Sequence, residues 1–169
     1  MTTEALKSAS VTNKDASPPV ANTAGQGAPA ALFMVDDYIT PTSGVTVGST
    51  YRMARVPSTA KIKAITGSGA AMTQGPFDVG VYYSTNHLTG AGAVIDADRF
   101  ASAWSLASLV QPTNITEESG VWTEDMYAMP LWQAAGLSAD PGGELDIVLT
   151  STNTITTGAK VRIAVTFTN

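Results

Sequence analysis

The chain has 169 residues, 44% of them hydrophobic and only 14% charged, with a formal net charge of −5 and no cysteine. A single domain with a core that needs no staples fits this length. Disulfides, thiolate nucleophiles and Cys-ligated zinc are excluded, and the acidic balance argues against a sequence-independent grip on nucleic acid, which needs clustered Lys and Arg.

Residues 1–31 form a region apart. "TTEALKSASVTNKDASPPVANTAGQGAPAA" carries almost no large apolar side chain. Such a stretch cannot bury enough surface to offset its own ordering entropy. Lys7 is followed by no apolar segment, so no signal peptide is expected. No apolar run approaches the ~20 residues of a membrane span, and no membrane partner is expected. Pro18-Pro19 favours an extended path. Two readings stay open: a disordered tail, or an extended arm that orders on a partner. In the second, Pro18, Pro19 and Val20 are the contact residues. The first apolar cluster, Leu32 to Val35, marks the start of the folded domain, residues 32–169.

From there the pattern is mainly β. Residues 45–56, "VTVGSTYRMARV", place Val45, Val47, Tyr51, Met53 and Arg55 at odd positions, with Gly48 as a bulge. Pro57 cannot donate a ladder hydrogen bond and belongs at a strand end. A next strand sets Ile62, Ala64 and Thr66 on one face, and "FDVGVYYS" does the same with Phe77, Val79, Val81 and Tyr83. "DADRFASAWSLAS" predicts a short helix capped by Asp96, with Phe100 and Trp104 near helical spacing. A second short helix is predicted at Leu131 and Trp132, opened by Pro130 and closed by Gly136. "DPGG" turns the chain into "ELDIVLTST", which with "KVRIAVTFT" reads as an antiparallel pair joined by a turn. The expected fold is all-β: an antiparallel, jelly-roll-like sandwich with two short helices and an extended N-terminal arm. Its expected core is Val47, Tyr51, Met53, Ile62, Phe77, Val79, Val81, Ile147, Leu149, Ile163, Val165 and Phe167.

Catalytic patterns are weak. His87 is the sole histidine, in a turn-like stretch, and no Gly-x-Ser-x-Gly elbow accompanies it. Zinc needs more ligands than it can supply. Asp36-Asp37, Asp96/Asp98, Glu117-Glu118 and Glu124-Asp125 read as caps, loops and solvated edges. Asp96 and Asp98 could at most hold calcium weakly, without an EF-hand pattern. Arg52, Arg55, Lys61 and Lys63 read as a solvated face. Trp104, Trp122 and Trp132 read as core or subunit interface ahead of a sugar-stacking platform. No catalytic set and no cofactor are expected.

Several stretches carry a family resemblance. "GSTYRMARVPSTAKIKAI", "FDVGVYYS", "AVIDADRFASAWSLAS" and "PLWQAAGLSADPGGELDIVLT", with the closing "TTGAKVRIAVTFT", resemble small virion proteins of tailed bacteriophages, of the head decoration or cement type. The resemblance runs from about Thr46 to Thr168 and leaves out the arm. It implies a β-sandwich that forms a homotrimer on the outer surface of the capsid, bound to the major capsid protein and stabilising the shell without catalysis. In that role the arm would grip the capsid or a neighbour. Phe100, Trp104, Leu131 and Trp132 would close one end of the sandwich or meet another subunit. A head-fibre base, a tail component and a carbohydrate-binding sandwich are the alternatives.

Overall fold

A computed structural model describes residues 16–18, 20, 31–42, 44, 46–72, 75–155 and 158–169. Pro19, Val45 and most of the arm lie outside them, while Pro18 and Val20 are exposed. Eight strands occur among the described residues: β1 (Leu32–Ile39), β2 (Thr50–Pro57), β3 (Lys61–Gly69), β4 (Pro76–Tyr83), β5 (Val94–Ser105), β6 (Val110–Asn114), β7 (Glu144–Ser151) and β8 (Val161–Thr168). They build two antiparallel four-stranded sheets, ordered β1-β8-β3-β6 and β2-β7-β4-β5. This interleaving is the double Greek key of a jelly roll. It follows from period-two patterning. Phe77, Val79, Val81, Leu145, Ile147 and Leu149 of one sheet, and Val161, Ile163 and Val165 of the other, are wholly buried.

The strands expected to form a hairpin at the end of the chain do not pair. β7 lies between β2 and β4, and β8 lies between β1 and β3 in the other sheet. Alternation identifies a strand but not its partner. The helix expected from Asp96 is strand β5. In its register Val79 faces Ala101 while Val81 faces Asp96, so β5 bulges over β4 with extra residues. Those residues break the period of two and place Phe100 and Trp104 at a helix-like spacing. Asp96 caps no helix; its Oδ1 accepts the Asp98 N–H at 3.3 Å inside the bulge. The bulge rests on Gly80, where a Cβ would lie 2.1 Å from the Asp96 carbonyl oxygen.

Two smaller shifts occur near β2 and β3. Gly48 sits in a turn with φ +82°, and the irregularity falls between Arg52 and Ala54. Val47 therefore lies outside the core at 60% exposure, while Ala54 and Val56 are buried. A bulge between Ile62 and Ala64 turns Ile65, rather than Ala64, inward beside Ile62.

The connections gather at two ends. At one, the Gly44 N–H meets the Ile155 carbonyl, Met72 meets Leu106, and Ala70 meets Lys160. At the other, the long connection 115–143 folds back over the sandwich. It contains a 3-10 turn, Glu124–Ala128, and one turn of helix, α1 (Leu131–Ala134). It also replaces the missing half of β6: the Ile65 N–H donates to the Thr116 hydroxyl at 2.7 Å, and the Lys63 ammonium donates to the Tyr127 carbonyl.

Candidate functional site

The four residues expected to close an end or meet a neighbour fall into two groups. The Leu131 N–H donates to the Ala60 carbonyl at 2.7 Å and the Trp132 N–H to the Ser58 carbonyl at 3.1 Å. α1 is thereby tied across the β2–β3 turn. Leu131 is wholly buried and Trp132 half-buried. Pro130, with φ −64°, is the residue before the first helical turn, and Gly136 at φ +84° ends it. Phe100 and Trp104 lie on β5 instead. Phe100 packs on Trp122 with ring centroids 4.8 Å apart, and Trp104 fills the space over Gly67, where a Cβ would come within 2.6 Å of it. Both tryptophans are buried core residues and present no face to a sugar.

Arg55 is exposed and Arg52 half-buried, and both are tied to one carboxylate. Both reach the buried carboxylate of Asp146, at 2.7 Å each. Arg52 also donates to the carbonyls of Tyr83 and Gly92, and Arg55 to Asn86 and Thr85. The cluster braces β2, β7 and the β4–β5 loop. In sequence Asp146 is one more polar residue of an alternating strand, so the brace carried no local signal. His87 holds the same loop from the other side. Its Nε2 lies 2.9 Å from the Gly142 carbonyl and its Nδ1 2.8 Å from the Thr89 carbonyl, and its ring packs on Tyr83. The histidine is thus committed to joining two loops. No group of three or more His, Asp or Glu is arranged to hold a metal among the described residues.

Asp78 and Tyr127 are among the ionisable groups with displaced pKa values. Burial raises that of Asp78, and Asp98 adds to the effect; the Ala103 N–H, donating at 2.8 Å, opposes it. Ala103 sits at φ +54°, a left-handed conformation uncommon for a side chain. Tyr127 is pushed up to about 12, first by burial and then by its hydrogen bond to Glu117, 2.6 Å away.

The outer face of the β1-β8-β3-β6 sheet carries an exposed apolar edge. The register aligns Leu32, Met34, Asp36 and Tyr38 of β1 with Thr168, Thr166, Ala164 and Arg162 of β8. On β3 the matching residues are Lys61, Ala64, Thr66 and Ser68. Most of the middle is small and flat. Along the open edge, Leu32, Met34 and Tyr38 are 66%, 64% and 56% exposed. Asp36 pairs with Arg162 at 2.6 Å, and the Lys160 ammonium lies 4.7 Å over the Tyr38 ring. Beside them a groove of about 370 Å³ is lined by Tyr38, Gly69, Leu109, Pro112, Lys160 and Arg162. Exposed apolar side chains in a row on an edge strand mark an association surface. In sequence Leu32 to Val35 mark only the start of the folded domain, and neither the strand nor its exposed outer side is legible there.

The fold defines the class: a jelly roll with eight strands among the described residues and an exposed apolar edge. No protein-family model matches the sequence, and no curated protein matches it. Two solved structures share the fold. The "Capsid of Ralstonia phage GP4" aligns with a TM-score of 0.56 and 11% identity, over 89% of this chain and 89% of that one. The "Cyanophage Pam1 capsid asymmetric unit" aligns with a TM-score of 0.51 and 14% identity, over 91% of this chain and 96% of that one.

Proposed function

We propose that this chain is a structural, non-catalytic protein of a bacteriophage virion, and that it decorates and cements the capsid. The observation that carries this reading is the bare β1-β8-β3-β6 face on a jelly roll whose like is found, over about nine-tenths of the chain, in two phage capsids. A subunit that binds the assembled shell and not its separated parts shifts the equilibrium toward the shell. Its partners are the major capsid protein and further copies of itself, as a homotrimer on the outer surface. Trimerisation multiplies weak contacts over the lattice. The arm precedes β1 in the chain, and in this reading it orders on the capsid or a neighbour.

Co-sedimentation with mature, undecorated capsids tests the reading, comparing the full chain with one lacking residues 1–31. The full chain is expected to pellet, and loss of the arm to weaken binding severalfold. Equal pelleting would move the grip from the arm to the sandwich. A full chain that stays in the supernatant would end the decoration role.

A further inference from the structure

The basic residues of this acidic chain are unevenly placed. On the β2-β7-β4-β5 sheet, Arg52 and Arg55 are taken up by Asp146, and Arg99 by Asp96. The other sheet carries Lys61, Lys63, Lys160 and Arg162 on or beside its bare face. Asp36 is the only carboxylate ion-paired there among the described residues. Lys61 lies in register with Leu32 through Thr168, and Lys160 sits over Tyr38. Each end of the apolar row thus has a lysine in no ion pair among the described residues.

The connection 115–143 carries the opposite sign. Glu117 and Glu118 are occupied by the Tyr127 hydroxyl and the Ser102 N–H. Glu124 and Asp125 are exposed and in no ion pair among the described residues, and Val121 beside them is 43% exposed. The chain therefore holds two unlike surfaces: a flat basic face with an apolar edge, and an acidic loop with an apolar tip.

We propose that the basic face receives the acidic segment 117–125 of a second copy of this chain. The inference rests on the homo-oligomer of the reading above and names its contact. Lys61 and Lys160 meet Glu124 and Asp125, and Val121 seats against the row of Leu32, Met34 and Tyr38. Two basic faces repel one another, so a symmetric face-to-face dimer is disfavoured. The contact joins unlike surfaces, and contacts of that kind form rings such as a trimer when the rotation between copies closes.

Light scattering on the purified full chain, with analytical ultracentrifugation, tests this. The wild type is expected to be an oligomer that loosens as salt is added. Lys61→Glu with Lys160→Glu should weaken it by about a hundredfold or more, as should Glu124→Lys with Asp125→Lys, because like charges then face one another. The chain carrying all four changes should re-form it. If a reversal lowers the melting temperature, Lys61→Gln with Lys160→Gln replaces it, with weakening expected in the same direction. Unchanged mass in both double variants would overturn the proposal, as would failure of the fourfold variant to recover. A wild-type monomer that still pellets with capsids would overturn it too, while leaving the decoration role standing and assigning the bare face to the shell.

Discussion

Gly80 shows how a single position fixes the local fold. Its missing side chain is where the β5 bulge lies down on the sheet, and the atoms in the way are backbone. Gly80→Ala is therefore expected to cost about 3 kcal/mol or more, read as a lower denaturant midpoint. A midpoint like that of the wild type would mean that the bulge can lift. Asp78 is a residue held against its preference. Its folded pKa is raised, so it adds stability at pH values below the ordinary carboxylate range, and that stability is lost as pH climbs through the raised value. Asp78→Asn keeps an acceptor for the Ala103 N–H without the charge. The variant should melt above the wild type at pH 7, with the gap closing toward pH 3. A lower melting temperature at pH 7 would show that the ionised carboxylate is needed.

Among the elements, α1 is one turn long and is held by two backbone hydrogen bonds to the β2–β3 turn and by its buried side chain. Leu131→Ala should cost about 3 kcal/mol, because a buried aliphatic chain leaves a cavity. Trp132→Ala removes a larger but half-exposed side chain and should cost about 1–2 kcal/mol. Thermal melts of both variants check the order, and a larger loss at Trp132 would reverse the placement. The same scale shows what the sequence made legible. Pro130 and Gly136 bracketed α1 because capping is local chemistry. Phe77, Val79 and Val81 announced β4 because alternation survives wherever a strand is regular. β5 was misread for the same reason inverted: its bulge leaves a spacing that one-dimensional pattern cannot tell from a helix. The brace at Asp146 was invisible, since Arg52 and Arg55 lie more than ninety residues from it.

At the level of the whole molecule, the jelly roll was legible as a class and not as a topology. Short alternating strands with turn-rich links specify a sandwich, but the assignment of β7 and β8 to different sheets depends on contacts between distant segments. The bare face was not legible at all. In sequence Leu32 belongs only to the apolar cluster that opens the domain; Leu32, Met34 and Tyr38 stay exposed because they alternate with Phe33, Val35 and Ile39, which turn toward the core. The two sheets divide the work. One consumes its cations internally and is locked by the Asp146 brace. On the other, Arg162 pairs with Asp36, while Lys61 and Lys160 beside the apolar edge are in no ion pair among the described residues.

The position of β8 has a consequence for how the molecule is made. It is the eighth strand in sequence, yet it runs between β1 and β3, with Thr168 opposite both Leu32 and Lys61. During translation β1 and β3 leave the ribosome long before the strand that joins them. Until residues 161–168 emerge, that sheet has no centre, and the apolar sides of β1 and β3 have no partner to share. Until β8 folds, the chain is therefore most prone to stick to its neighbours, and folding waits on pairings between distant segments. The delay also has a use. A sheet face that exists only once β8 is in place cannot engage a partner before that strand has folded.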